Sequence, residues 1–309
     1  MVDKQVAVID IGTNTMLLLT AAWDPDRRCW TGHQTWQRFS RIGENLKVSG
    51  DIPEKVMERN LACLGEFQAI CQSMEIPSVY CFATSALRDA KNSGVFVQRV
   101  QKTLGIEIQI ISGEREAQLI CASVASLYQK NGEALFILDI GGGSTELIHW
   151  QQRRIQFLKS LNLGVVHLTH TFLKCDPALL PEIAECRSHI RHTLAQNYPP
   201  LPAGGTLVAI GGTATTAFCL INRLADYDPA RVEGGALRRH QLERIFADLA
   251  GSTHKQRIQH FNLPPGRADV LLAGMLILIE EIKQLQPRQT LVSDRGLRYG
   301  VLEELKTQG

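Results

Sequence analysis

Short apolar runs, each closed by a polar turn rich in glycine, recur along the chain and predict buried strands. Residues 6–11 form the first, and the turn Gly12-Thr13-Asn14-Thr15 leads directly into a second apolar run over residues 16–22. Residues 30–39 predict a further strand or strand pair, and residues 42–51 a loop. The period then lengthens: Val56, Leu61, Leu64, Phe67, Ile70 and Cys71 make one stripe of a helix over residues 53–73, with Pro53 near its first turn. A short strand at 79–83, a loop or helix start at 84–89, a helix over 94–104 and a strand at 106–111 complete an α/β unit. Ser112 caps the next helix, which carries Glu114 and Glu116 in its first turn and continues through Leu127.

After a break at Lys130-Asn131-Gly132 the opening theme returns. Residues 134–140 predict a strand that ends in Asp139-Ile140-Gly141-Gly142-Gly143-Ser144-Thr145 and continues as a second strand from Glu146 to Trp150. In both halves an Asp stands at the end of an apolar strand, before a glycine turn with hydroxyls and a second strand. This internal repeat predicts two related domains facing a common ligand cleft. The expected division is residues 1–118, joined by a returning C-terminal segment 297–309, and residues 119–296. A strand at 206–210 ends in a third such turn, Gly211-Gly212-Thr213-Ala214-Thr215. Elsewhere the pattern predicts a strand region over 154–163, a helix from 164, a path broken by Pro177 and Pro181 before a helix over 182–198, and helices at 242–249, 253–260 and 269–284. A last strand at 290–293 enters Asp294-Arg295-Gly296 and a final helix. Neither Asp-led turn has the G-x-G-x-x-G spacing and following helix of a dinucleotide fold.

Composition narrows the function. Hydrophobic residues make up 44% and charged residues 21% of 309 residues, ordinary for a folded domain pair. A net charge of +2 leaves no broad footprint for nucleic acid. The longest apolar helical run, residues 271–279, is too short for a membrane span, and Met1-Val2-Asp3-Lys4 opens no signal region, so a cytoplasmic protein without a membrane partner is expected. The eight cysteines contain no C-x-x-C pair and read as reduced, packed thiols. His167/His170 and His189/His192 lack the companions of a zinc site and read as helix faces.

The turns point to phosphate. Glycines at strand ends let successive backbone N–H groups converge on an anion, and the hydroxyls of Thr13, Thr15, Ser144, Thr145, Thr213 and Thr215 can add donors. Asp10, Asp139 and Glu146 near such turns would repel phosphate unless a hard cation such as Mg²⁺ intervenes, although an Asx-type turn cap is the alternative for either Asp. Glu116, at a helix start after a strand, is the candidate base that orients water, and a favourable first-turn acid is the alternative. Arg88, after Thr84-Ser85, is a candidate phosphoryl clamp. Arg267 near Asp269 and Arg295 near Asp294 read as helix-start ion pairs.

Six strings, in order and spread over nearly the entire chain, resemble the exopolyphosphatase and guanosine pentaphosphate phosphohydrolase family. They are Val8-Ile-Asp-Ile-Gly-Thr-Asn-Thr, Ala83-Thr-Ser-Ala-Leu-Arg-Asp-Ala, Ile111-Ser-Gly-Glu-Arg-Glu-Ala, Leu138-Asp-Ile-Gly-Gly-Gly-Ser-Thr-Glu-Leu, Gly211-Gly-Thr-Ala-Thr and Val292-Ser-Asp-Arg-Gly-Leu-Arg. The resemblance implies duplicated ribonuclease H-like α/β domains of the actin, sugar kinase and Hsp70 superfamily. It also implies removal of terminal phosphate from inorganic polyphosphate or of the 5′-phosphate of guanosine pentaphosphate. By the same resemblance Glu116 activates water, Arg88 matches the family's arginine after the Thr-Ser pair, Asp139 and Glu146 serve metal and phosphate, and a homodimer forms. The family's Glu-Glu-Ala is Arg115-Glu116-Ala117 here, so Arg115 is expected to lower the pKa of Glu116 or to recruit a further phosphate. Longer relatives add a helical HD-like region; ending at Gly309, this sequence reads as the short form, for which short-chain polyphosphate or a nucleotide is expected. An ATP-using kinase or ATPase of the same superfamily, and a non-catalytic guanosine tetraphosphate or pentaphosphate sensor, stand as alternatives.

Overall fold

A computed structural model describes residues 5–44, 46–128, 133–224 and 226–307; Met1 to Lys4 and the break expected at Lys130-Asn131-Gly132 lie outside the described residues. The chain divides into two compact units, Met1–Ala122 with Leu297–Gly309, and Ser123–Gly296.

In the first unit, β1 (Gln5–Ile11), β2 (Met16–Asp24) and β3 (Cys29–Arg38) form an antiparallel meander. One turn of helix, α1 (Leu46–Ser49), interrupts the expected loop, and α2 (Glu54–Ser73) follows. Then come β4 (Ser78–Ala83), the short α3 (Ser85–Asp89), α4 (Ser93–Leu104), β5 (Ile108–Ile110) and α5 (Gly113–Tyr128), within which the unit boundary falls. The sheet order is β3-β2-β1-β4-β5, with β4 parallel to β1 and β5 parallel to β4. The expected strand at 106–111 shortens to three residues at the sheet edge. Ala7, Ile9, Ile11, Met16 and Leu18 pack under Val56, Leu64 and Phe67 of α2 and Phe96 and Val100 of α4.

The second unit holds β6 (Leu135–Ile140), β7 (Thr145–Gln151), β8 (Arg154–Leu161), α6 (Val165–Phe172), α7 (Leu180–Asn197), β9 (Thr206–Ile210), α8 (Gly211–Asn222) and α9 (Pro229–Val232). It continues with β10 (Gly235–Ala236), α10 (Arg239–Ala250), α11 (His254–His260), α12 (Pro265–Ala268), α13 (Leu271–Leu285) and β11 (Gln289–Val292). Its sheet order is β10-β11-β9-β6-β7-β8. From the far edge, β8-β7-β6-β9-β11 repeats the order and strand directions of the first sheet. The chain is a duplicated ribonuclease H-like α/β protein, and the repeat seen in two turns extends to the whole sheet.

Two sequence expectations change here. Pro181 starts α7 instead of breaking the path to it, because a first-turn residue has no intrahelical acceptor for the N–H that proline lacks; the Glu182 carboxylate accepts from the Leu179 amide at 3.0 Å. The third glycine turn is no turn: β9 passes straight into α8 at Gly211, whose φ of +80° makes the bend. The apolar run at 271–279 forms the first nine residues of α13, a helix buried against α6, α7, α8 and α10. Among the described residues no helix is long and apolar enough to cross a membrane.

The last helix, α14 (Leu297–Thr307), lies with the first unit and packs on β1. Trp30 Nε1 donates to the Leu302 carbonyl at 2.6 Å, and the buried Arg298 Nη1 lies 3.5 Å from the Leu18 carbonyl and from Thr35 Oγ1.

Candidate active site

Parallel β1, β4 and β5 all finish at one edge of the first sheet, where α/β proteins bind ligands. Two bonds knit that edge: the Thr84 amide to the Ile11 carbonyl at 3.3 Å, and the Ile111 amide to the Ala83 carbonyl at 3.0 Å. The Asp10 turn, the short α3 with Arg88 and the start of α5 with Glu116 therefore share one neighbourhood. Gly12 closes its turn by donating to the Thr15 carbonyl at 3.0 Å. Residues 41–43 hold the turn from outside, with the Arg41 amide on the Asn14 carbonyl (3.1 Å) and the Gly43 amide on the Thr13 carbonyl (3.0 Å). A Cβ on Gly43 would lie 2.2 Å from the Thr13 methyl, so glycine is required there and the Thr13 methyl is a packing group.

Glu116 is buried in the first turn of α5. Arg88 Nη1 donates to the Ile111 carbonyl at 2.8 Å and stands 3.6 Å from Glu116 Oε2. The backbone contact anchors the guanidinium, and its other nitrogens have no protein partner among the described residues, which suits an anion clamp. Asp10 has a buried Oδ1 without a hydrogen-bond partner among the described residues. Burial pushes its carboxyl up to about 6, against the nearby Arg298 guanidinium, which pulls it down.

Arg115, expected to act on Glu116 or on a further phosphate, has a partner the sequence did not suggest: it forks onto Glu304 of α14 with Nη1–Oε1 at 2.6 Å and Nη2–Oε2 at 2.5 Å.

The second unit repeats this edge with β6, β9 and β11. Gly141 donates to the Ser144 carbonyl at 2.9 Å, the counterpart of the Gly12 bond, and in each unit four residues separate the paired strand ends, Ile11↔Met16 and Ile140↔Thr145. Gly142 and Gly143 thus occupy the places of Thr13 and Asn14. Here the outer support is the start of α6: the Val165 and Val166 amides donate to the Gly141 and Gly142 carbonyls at 3.1 and 3.0 Å. Asp139 sits opposite Glu146 across the antiparallel pair, on one face of the sheet. Glu146 is buried and its Oε1 accepts from Ser160 Oγ at 2.6 Å.

Two hydroxyls expected at phosphate are committed elsewhere. Thr145 is fully buried and donates to the Leu163 carbonyl at 2.6 Å, because it is already the first residue of β7. Thr213 is buried inside α8, its side chain filling the space that the missing Cβ of Gly274 leaves. Gly212 meets a different group. Its missing Cβ makes room for the buried Arg267 guanidinium, which desolvation pulls down to about 10, while Asp269 takes His254 Nε2 at 2.6 Å. That contact joins Arg267 to a glycine more than 50 residues earlier, which no local sequence pattern predicts. Gly211, with Asp139 Oδ1 2.8 Å from its ideal Cβ, makes room for that acid in the same way.

Among the described residues no group of three His, Cys, Asp or Glu side chains is arranged to hold a metal. Asp10 has Arg298 as its counter-charge and Glu146 has Ser160 as a donor. The Asp139/Glu146 pair still fits Mg²⁺, which takes one or two carboxylates and completes its shell with water and phosphate oxygens.

The Ppx/GppA phosphatase family model matches residues 34–308. The chain belongs to that family. Exopolyphosphatase 2 of Mycobacterium tuberculosis is 29% identical over 96% of this chain and 97% of its own length. A guanosine-5′-triphosphate,3′-diphosphate pyrophosphatase of Aliivibrio fischeri is 27% identical over 99% of this chain but 61% of itself. Among solved structures, the Aquifex aeolicus Ppx/GppA family member superposes with a TM-score of 0.81 at 28% identity, covering 98% of both chains. A Ppx/GppA phosphatase cleaves phosphoanhydrides.

Proposed function

We propose that this Ppx/GppA phosphatase hydrolyses terminal phosphoanhydride bonds of inorganic polyphosphate, or the 5′-phosphate of guanosine pentaphosphate, releasing orthophosphate in the cytoplasm with a divalent cation such as Mg²⁺. The observation that carries the reading is the buried Glu116 beside an anchored Arg88 at the ligand-binding edge of the first sheet. Full-length correspondence with an exopolyphosphatase supports polyphosphate as the first substrate to test.

Water attacks the terminal phosphorus, and Glu116 takes its proton as the O–P bond forms and the bridging O–P bond breaks. Arg88 offsets charge on the equatorial oxygens. The Gly12–Thr15 and Gly141–Ser144 turns each present backbone N–H groups to phosphoryl oxygens. Asp139 and Glu146 are the residues that would hold the cation, which when bound neutralises phosphate charge. Engagement of Arg115 by Glu304 weighs against a sensor that has lost turnover, since the one basic replacement beside Glu116 is occupied elsewhere.

Glu116→Gln keeps the shape and hydrogen bonding of the side chain but not its basicity. Its kcat should fall by about 10²-fold or more while substrate binding is retained. Phosphate release from polyphosphate and from guanosine pentaphosphate, each with and without Mg²⁺ and without other nucleotide, measures this. A near-normal rate in the variant removes Glu116 from the role, and a strict requirement for ATP replaces the hydrolase with a kinase or ATPase.

A further inference from the structure

We propose that the Arg115–Glu304 pair positions Glu116, using α14 as a strut that holds the first turn of α5 in its reactive orientation. The inference rests on the reading of Glu116 as the base.

Two contacts set the register of the helices. At Gly300 an ideal Cβ would stand 2.0 Å from the Leu119 carbonyl oxygen, so α14 lies directly on the α5 backbone there. At Glu304 the carboxylate receives both nitrogens of the Arg115 fork. From Gly300 to Glu304 is four residues forward on α14, and from Leu119 to Arg115 is four residues back on α5. The helices therefore run antiparallel, and the contacts lie about one turn apart on each. Glu116 falls between the two fixed points.

The chemistry suits orientation better than stability. Arg115 and Glu304 side chains are 41% and 34% exposed, and exposed pairs add little to folding free energy. A two-bond fork nevertheless fixes a guanidinium in plane and direction. Arg115 is also the residue whose amide bonds the Ser112 cap at 3.1 Å, and the next amide, of Glu116, bonds the Ser112 carbonyl at 2.9 Å. Movement of Arg115 is thus transmitted to the turn that aims Glu116 toward Arg88. The same helix brings Arg298 beside Asp10, so α14 supports two acids of the first-sheet edge.

A charge-swap cycle tests this, with kcat and KM measured on polyphosphate for wild type, R115E, E304R and R115E/E304R, and E116Q in parallel. Each single variant sets like charges together. Each should lose about 5- to 10-fold in kcat with KM within about 2-fold, and the double variant should recover to within about 2-fold of wild type. Circular dichroism at the assay temperature establishes folding; if a reversal fails to fold, R115Q and E304Q replace it, with an expected loss of about 3-fold in kcat. Folded single variants with wild-type kcat, or a double variant no faster than the singles, overturn the proposal. A slow E116Q beside an uncoupled cycle leaves the base assignment standing and removes only the strut, whereas a fast E116Q removes both.

Discussion

Asp10 illustrates how one buried carboxyl links stability to pH. Its folded value of about 6 lies above the ordinary 3.8, so between the two the folded chain holds a proton that the unfolded chain has released. The contribution to stability is fully present below the lower value and is lost as pH rises through the higher one. Asp10→Asn removes that loss. The variant should be more stable than wild type by on the order of 2 kcal/mol near pH 7.5, with the gain shrinking toward pH 4. Urea melts at the two pH values check this; a gain independent of pH would mean that the Asp10 carboxyl does not titrate in the window.

At the scale of elements, the second-unit turn depends on what α6 places against it. A Cβ on Gly164 would meet the Gly142 carbonyl oxygen and the Gly143 carbonyl carbon, both at 2.3 Å. Backbone cannot rotate aside as a long side chain can. Gly164→Ala should therefore displace residues 141–144, destabilise by about 1–3 kcal/mol and lower kcat more than 10-fold, a typical scale for overpacking and for misplaced binding groups. Gly94 in α4 has nothing within 4 Å of its ideal Cβ and no positive φ. Gly94→Ala should stabilise by about 0.5–1 kcal/mol and leave kcat alone. Thermal melts with phosphate-release assays separate the two, and equal effects from both alanines would sink the steric account of the turn.

For the molecule as a whole, the critical piece is α14, remote in sequence from the sheet it covers. Trp30 donates to the Leu302 carbonyl, Arg298 reaches the Leu18 carbonyl and Gly300 rests on Leu119. Truncation after Gly296 would strip all three and open the β1 face to water, an apolar exposure the first unit cannot sustain. Such a chain should bind a hydrophobic dye and lose tryptophan fluorescence asymmetry, while Ser123–Gly296, with its own core around α13, keeps most of its helix signal. A truncated chain with a native-like melt and full activity would show that α14 is dispensable.

Local pattern determined the strands, most of the helices and the two Asp-led turns, because alternation, helical period and glycine punctuation act over a few residues. The same pattern misread what depends on the surroundings. Pro181 opened a helix, and the glycines after β9 bent a strand into α8 instead of forming a free turn. Thr145 and Thr213 carry hydroxyls like their neighbours, but packing turned one to the Leu163 carbonyl and the other toward Gly274. The partners of Arg115 and Arg298 were beyond reach for one reason: a charge finds its counterpart through folded space, and 189 residues separate Arg115 from Glu304. Sequence alone therefore determined the family to which the chain belongs and the strand ends at which its two Asp-led turns stand. Tertiary structure decided which side chains are spent on holding those ends, because only packing brings distant groups within bonding distance.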